Sequence, residues 1–137
     1  MNGTRDRAGA RARSFLAFDF GLRRTGIAAG NSLVRVATPL KTIAAEGDAR
    51  FGPIAALLAE WQPDALVVGV PFHPDGAAHV NTERARRFAR RLRGRFGLAV
   101  IEVDERWTTT AARAGGAADL DAAAAALILD QHLRTLK

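Results

Sequence analysis

The stretch that decides the fold reads FLAFDFGLRRTGIAAG and covers residues 15–30. Its first part has the apolar character of a buried strand and carries one carboxylate, Asp19, near its end. A tight turn containing glycine and two arginines follows, and then a second apolar strand. A buried carboxylate is costly unless it is paired, commonly with a cation. The pattern therefore indicates an acid that holds a metal against a phosphate. The alternative is a turn carboxylate paired with Arg23 or Arg24.

Length and composition are those of a single soluble domain. A chain of 137 residues can bury one real core, and residues 14–137 are expected to form one domain. Residues 1–13 are basic, lack the apolar segment of a secretory signal, and are expected to be a disordered arm. No apolar run approaches the ~20 residues that cross a membrane. The absence of cysteine excludes disulfides and thiolate metal sites and suits a cytoplasmic protein.

The charge of the chain favours a polyanionic partner. The net charge is +6, and seven arginines fall within residues 84–95. Apolar residues recur there at helical spacing, which predicts an amphipathic helix with an arginine-rich outer face. Arginine binds phosphate in bidentate fashion, so a nucleic-acid-binding face is favoured. The alternatives are a solvated helix face and, for the whole chain, an arginine- and alanine-rich composition bias.

The order of the elements predicts a mixed α/β sheet. Strands are expected at Ser14–Phe20, Gly26–Asn31, Leu33–Thr42, Ala65–Val70 and Leu98–Asp104. Helices are expected at Glu46–Trp61, through the arginine-rich segment, at Thr108–Arg113 and at Asp119–Leu136. Three hairpin-connected strands followed by strand–helix units give five strands, the first three antiparallel, with helices on both faces. Leu16–Phe18 and Leu66–Val70 should be adjacent central strands.

Carboxylates recur at the ends of these elements. Asp19 ends the first strand, Asp104 and Glu105 end the last strand, and Asp121 opens the last helix. Ligands gather at the carboxyl ends of parallel strands, so three acids can converge there and would repel one another without a divalent cation. Oxygen ligands select Mg²⁺ or Mn²⁺, which can activate water for phosphodiester hydrolysis. Taken singly, these acids also fit a strand-end salt bridge with Arg106 and helix capping.

Five segments in order resemble the YqgF family of Holliday-junction-resolvase-like proteins, which belong to the ribonuclease H-like superfamily. They are FDFGLRRTGIA at 18–28, VVGVP at 67–71 followed by Asp75-Gly76, RARRFA at 84–89, VDERWTT at 103–109 and DAAAAALIL at 121–129. The resemblance spans nearly the whole ordered chain. It implies a ribonuclease H-like fold and a metal-dependent nuclease that processes the 5′ end of pre-16S rRNA in ribosome biogenesis. The small ribosomal subunit is then a candidate partner of a monomer or homodimer.

The resemblance also assigns roles to three acids, and the charge pattern and residue types indicate roles for several arginines and histidines. The expected catalytic and metal-binding acids are Asp19, Glu105 and Asp121, although alternation alone leaves Asp104 and Glu105 both open as the inward acid. Nucleic-acid contacts are expected from the following arginines: Arg23, Arg24, Arg86, Arg87, Arg90, Arg91 and Arg106. His73 and His79 can assist proton transfer or be incidental.

One departure from the family weakens the prediction of activity. The loop before Asp121 is shorter than is usual, and candidate substrate contacts are lost with it. A non-catalytic rRNA-binding assembly factor and a branched-DNA resolvase therefore stay open as alternatives. A sugar-kinase-like phosphotransferase would need a second, similar domain, which 137 residues cannot supply.

Overall fold

The computed structural model describes residues 12–105 and 119–136. Its first three strands form an antiparallel meander of β1 (Ser14–Phe20), β2 (Thr25–Asn31) and β3 (Thr38–Ile43). The register pairs Asp19 with Gly26 across the β1–β2 hairpin, so the acid of β1 lies directly opposite a glycine. Because glycine has no side chain, the last helix can approach β2 closely at this position, opposite the acid.

Two further strands extend the sheet on the other side of β1. They are β4 (Ala65–Val70) and β5 (Ala99–Asp104), and both run parallel to β1. The resulting order is β3-β2-β1-β4-β5. The prediction of a mixed five-stranded sheet with an antiparallel first half is confirmed, and so is the adjacency of the two central apolar runs. β4 is buried along its whole length, as expected of a central parallel strand.

The helices α1 (Phe51–Trp61), α2 (Thr82–Phe96) and α3 (Leu120–Leu133) cover both faces of the sheet. On one face, side chains such as Leu16, Phe18 and Leu66 pack against α1 and α2. On the other face, Phe15, Ala17 and Val67 pack with the apolar side chains of α3. Within the described ranges, no helix is long and apolar enough to cross a membrane.

Three predicted boundaries differ from the structure by more than one residue. β3 begins at Thr38 rather than Leu33, because the side chain of Asn31 accepts the backbone N–H groups of Leu33 and Val34 at 3.0 and 2.7 Å and holds them in a turn. The first helix is split into a 3₁₀ turn, Gly47–Arg50, and α1. α3 ends at Leu133.

Two other predictions fall on residues that are wholly or largely outside the described ranges. The short helix predicted at Thr108–Arg113 lies there entirely, and so does most of the predicted disordered arm, 1–13. Of that arm, Arg13 is described: its backbone N–H donates to the Ser32 hydroxyl at 2.8 Å.

Candidate active site

The carboxyl ends of β1, β4 and β5 meet at one edge of the sheet. The parallel register brings Val70 of β4 opposite Asp104 of β5. One residue beyond β5, the backbone N–H of Glu105 donates to the carbonyl of Val70 at 3.2 Å. The chain therefore stays attached to the sheet past the end of the strand, which fixes where the side chain of Glu105 can go.

The side chain of Glu105 is enclosed between the sheet and α3. Only 8% of the residue is exposed. Its carboxyl carbon lies 3.1 Å from the point where a Cβ on Gly69 would sit, and the Ile128 side chain of α3 lies 2.3 Å from that point. A larger residue at 69 would fill this space. The absence of a side chain at Gly69 thus leaves the space in which the carboxyl of Glu105 is buried.

Burial changes the ionisation of Glu105. Desolvation, followed by repulsion from Asp19 and then from Asp104, raises the pKa of Glu105 to about 8. The protonated form of Glu105 is therefore favoured at neutral pH when no cation is near. The parallel register pairs Phe18 of β1 with Val68 of β4, so the next residue, Asp19, lies beside Gly69, where the carboxyl of Glu105 is buried. The structure brings these two sequence-predicted acids together.

Asp104 and Glu105 face opposite sides of the sheet. Asp104 lies on the same side of β5 as Glu102, whose carboxylate lies 3.4 Å from the guanidinium of Arg86 in α2. Glu105 lies on the side of α3, as does Asp19, which has the parity of Phe15 and Ala17. Strand alternation alone left both Asp104 and Glu105 open as the inward acid, and the structure places Glu105 on the α3 side.

The backbone of Asp121 lies at the same edge of the sheet. A Cβ on Gly26 would lie 1.9 Å from the carbonyl oxygen of Asp121, so the first turn of α3 touches the backbone of β2 directly opposite Asp19. The side chain of Asp121, however, pairs with Arg24, whose Nε lies 3.0 Å from its Oδ2. Among the described residues, no three acidic, histidine or cysteine side chains are arranged to hold a metal ion. Asp121 is therefore near the other two acids but is not joined to them.

Arg50 is a residue of this region that the sequence did not single out. Its guanidinium is buried and donates to the carbonyls of Gly21 and Leu22 at 2.7 and 2.8 Å, and to the Thr25 hydroxyl at 2.8 Å. These bonds fasten the β1–β2 turn, which carries Arg23 and Arg24. A lone arginine before an amphipathic helix gives no sequence signal for this role.

The arginines of α2 are placed in different surroundings. Arg90 pairs with Glu83 at 2.6 Å and Arg91 with Asp48 at 2.7 Å, whereas Arg87 is exposed and forms no ion pair or hydrogen bond within the described part of the chain. Arg106 lies outside the described residues. His73 and His79 lie side by side, with ring centroids 4.9 Å apart.

The buried hydroxyl of Thr82 joins α2 to the active-site edge of the sheet. It donates to the carbonyl of Pro71, the residue after β4, and accepts the N–H of His79 at 2.7 Å. The start of α2 is thereby tied to the end of β4. The arginine helix thus begins beside the edge that carries the acids.

This sheet order with its two helical layers defines a ribonuclease H-like fold. The chain is similar to Thermus thermophilus RuvC in complex with a Holliday junction substrate, with a TM-score of 0.55 and 16% identity over 90% of this chain and 94% of that chain. A second T. thermophilus RuvC structure gives a TM-score of 0.51 and 17% identity over 89% and 95% of the two chains. The predicted fold class is confirmed.

The family follows from the sequence comparison. The RuvX family, described as Holliday junction resolvase, matches residues 13–135, and this chain belongs to it. YqgF is another name for that family, so the predicted resemblance is confirmed.

The chain is similar to several proteins named "putative pre-16S rRNA nuclease". One, from Polaromonas sp., is 68% identical over 123 residues, which are 90% of this chain and 89% of the relative. The other, from Albidiferax ferrireducens, is 68% identical over 127 residues, which are 93% and 81% of the two chains.

Proposed function

We propose that this chain is a divalent-metal-dependent nuclease that processes the 5′ end of pre-16S rRNA by hydrolysing phosphodiester bonds. The observation that carries the proposal is the buried carboxyl of Glu105 beside Asp19, at a sheet edge where a helix bearing a third acid begins. Family membership and the names of the relatives support the nuclease class and the rRNA substrate. Such a protein would act in the cytoplasm on the small ribosomal subunit, as a monomer or homodimer.

The acids fit a hard divalent cation. Carboxylate oxygens are the ligands that Mg²⁺ and Mn²⁺ prefer. Burial and then repulsion raise the pKa of Glu105, and a cation between Asp19 and Glu105 would offset both by favouring the ionised carboxylates. Asp121 would complete the ligand set once its carboxylate leaves Arg24. When bound, the cation supplies an activated water and stabilises the leaving oxygen.

The other residues of the site would position the substrate. Arg24 lies on the turn beside the acids with its side chain 66% exposed, so it can exchange Asp121 for a substrate phosphate. A guanidinium suits that exchange because it binds carboxylate and phosphate in the same bidentate manner. Arg50 holds the turn in place, and the packing of α3 on β2 and β4 keeps bulk water from Glu105.

A cleavage assay tests the proposal. Purified protein is incubated with structured RNA containing the 5′ leader of 16S rRNA, and separately with a four-way DNA junction, in Mg²⁺, in Mn²⁺ and in EDTA. We expect cleavage of the RNA that requires the cation. Cleavage of the DNA junction alone would assign the chain as a resolvase.

A second candidate function is a non-catalytic rRNA-binding assembly factor. The ion pair between Arg24 and Asp121 favours it, because that pair withholds one acid from a metal site. This function predicts RNA binding without cleavage and no change in melting temperature with millimolar Mn²⁺. That combination of results would replace the nuclease proposal.

A further inference from the structure

A basic depression lies between the β1–β2 turn and α2. It has a volume of about 480 Å³ and a floor made partly by Phe51 and Phe88. Its charged lining consists of Arg23, Arg50, Arg84, Arg87, Arg91 and Glu46. Five arginines against one glutamate leave a strong excess of positive charge in one concave place.

The buried guanidinium of Arg50 adds to this excess of positive charge. Arg50 is 2% exposed, and within the described part of the chain its guanidinium donates to carbonyl and hydroxyl oxygens rather than to a carboxylate. Burial lowers the pKa of Arg50, but a guanidinium keeps its proton in proteins. Glu46 is the one carboxylate that offsets this charge among the described residues lining the depression, so the buried guanidinium still leaves the depression attractive to an anion.

The arginines around this depression fall into two sets, one bound to other protein groups and one facing the depression. In the first set, Arg86 contacts Glu102 at 3.4 Å, Arg90 contacts Glu83 at 2.6 Å, and Arg93 donates to the carbonyl of Val100 at 3.2 Å. None of these three lines the depression. Their guanidinium groups are used to hold α2 together and to fasten it to β5.

The arginines of the second set face the depression and make few hydrogen bonds or ion pairs with described residues. Arg84 donates only to the side chain of Asn81, at 3.1 Å, and Arg23 and Arg87 form no ion pair or hydrogen bond among the described residues. All three are exposed. Arg91 also lines the depression, but Asp48 at 2.7 Å neutralises it.

A groove connects this depression with the acids. Four residues, Phe20, Leu22, Arg23 and Arg84, line both the depression and a neighbouring groove of about 810 Å³. The groove continues past Arg24 to Asp121. A strand that meets the acids therefore has a continuous basic path across the β1–β2 turn to the depression.

We propose that Arg23, Arg84 and Arg87, above the buried charge of Arg50, form a pocket for a backbone phosphate of a single nucleic-acid strand that extends from the acids. Arg86, Arg90 and Arg93 serve the fold instead. The direction of the strand rests on the proposed function, whereas phosphate binding in the pocket does not. The proposal differs from the sequence prediction because it adds Arg84 and leaves out Arg86, Arg90 and the neutralised Arg91.

Two matched double variants test the division. Arg84→Gln with Arg87→Gln removes two charges from the pocket, and Arg90→Gln with Arg93→Gln removes two charges from the same helix outside it. Binding of a single-stranded RNA is measured in EDTA, so that no cleavage occurs, over a range of salt concentrations. We expect the pocket variant to bind on the order of tenfold or more weakly at low salt, with a salt slope flatter by about 0.7 per lost phosphate contact.

The control variant should keep most of the affinity and slope. Equal losses in both variants would overturn the proposal in favour of a diffuse basic face, and so would unchanged binding in the pocket variant or no binding by the wild type. Arg87→Gln alone provides a check that is free of folding effects, because that side chain makes no hydrogen bond or ion pair within the described residues. If the pocket effect appears but no metal-dependent cleavage is found, the pocket stands and the nuclease proposal falls.

Discussion

The two faces of the sheet are built differently. On the α3 face, small residues let helix and sheet approach until backbone meets backbone: a Cβ on Gly26 would lie 1.9 Å from the carbonyl oxygen of Asp121. On the other face, large rings fill the space, with Phe18 and Phe51 lying 5.9 and 6.0 Å from Phe88 between centroids. Close backbone contact fixes the start of α3 tightly, which suits a face that must position acids. The thicker, aromatic layer supports an outer helix whose exposed side is free to carry arginines.

The largest expected effect is loss of cleavage when an acid of the α3 face is neutralised. Asp19→Asn and Glu105→Gln keep side-chain size and remove the charge that would hold the cation. Cleavage should fall by orders of magnitude, since removing single catalytic groups costs about 10²- to 10⁴-fold or more. Turnover of structured RNA in Mn²⁺ measures this.

Asp104→Asn is the matched control for that comparison. It removes the same charge from the neighbouring residue, which faces the α2 side. Its cleavage should stay within a few-fold of the wild type. Equal losses in Asp104→Asn and Glu105→Gln would show that the two faces do not divide the chemistry as proposed.

A large loss of stability is expected from Gly26→Ala. The new methyl would overlap the backbone of Asp121 and Ala122, and neither backbone can move without lifting the start of α3 from β2. Overpacking of this kind typically costs about 1–3 kcal/mol and occasionally more. Chemical denaturation of the wild type and the variant measures the cost. An unchanged unfolding midpoint would mean that α3 does not lie as close to β2 as described.

The sheet could be predicted because its signals are local. β1 and β4 are apolar runs bounded by turn formers. β4 can run parallel to β1 because two antiparallel strands and then the helix α1 lie between them. The start of β3 was predicted too early, at Leu33, because the side chain of Asn31 binds the backbone N–H groups of Leu33 and Val34 and extends the turn. Periodicity does not report such bonds.

The site was harder to predict because its geometry depends on distant contacts. Glu105 lies one residue beyond β5, so strand alternation did not fix its direction, and its position depends on the space above Gly69. The pairing of Arg24 with Asp121 and the anchoring of the β1–β2 turn by Arg50 join segments far apart in the chain. Sequence alone shows the residue types but not these partners.

The ionisation of Glu105 predicts a pH dependence of stability on the α3 face. The unfolded chain loses this proton near pH 4.5, whereas the folded protein keeps it to about pH 8. The folded state therefore binds more protons in that window, and the stability that comes from this group falls as pH rises from about 4.5 to 8. In EDTA, Glu105→Gln should remove this slope and be more stable at pH 8, by an amount on the order of a few kcal/mol.

Urea unfolding at several pH values measures the effect. Asp104→Asn again provides the control, because it removes only the smallest of the causes that raise the pKa of Glu105. Curves of stability against pH that run parallel for wild type and Glu105→Gln would contradict the burial of a protonated carboxyl at this site.

A smaller effect is expected from the ion pair that withholds Asp121. Arg24→Gln frees that carboxylate, so less Mn²⁺ should be needed to raise the melting temperature. The Arg24 side chain is 66% exposed and the Asp121 side chain 29%. Pairs that solvent reaches contribute about 0.2–1 kcal/mol, so a change of roughly two- to fivefold is expected. Arg23→Gln removes the same charge from the next position without breaking an ion pair of the described residues. If the two variants shift the Mn²⁺ midpoint equally, the pair does not compete with the metal.

The smallest expected effect is a gain in stability from Gly94→Ala in α2, on the face of the sheet opposite Gly26. Gly94 lies in α2, is exposed, and has no atom within 4 Å of the position that a Cβ would take. Glycine within a helix is less favourable than alanine by roughly 0.5–1 kcal/mol, so Gly94→Ala should stabilise the protein by about that amount. The same chemical change is thus expected to destabilise at Gly26 and to stabilise at Gly94. Denaturation of both variants side by side measures the difference. Loss of stability at Gly94 would show that the outer side of α2 is covered rather than open to solvent and substrate.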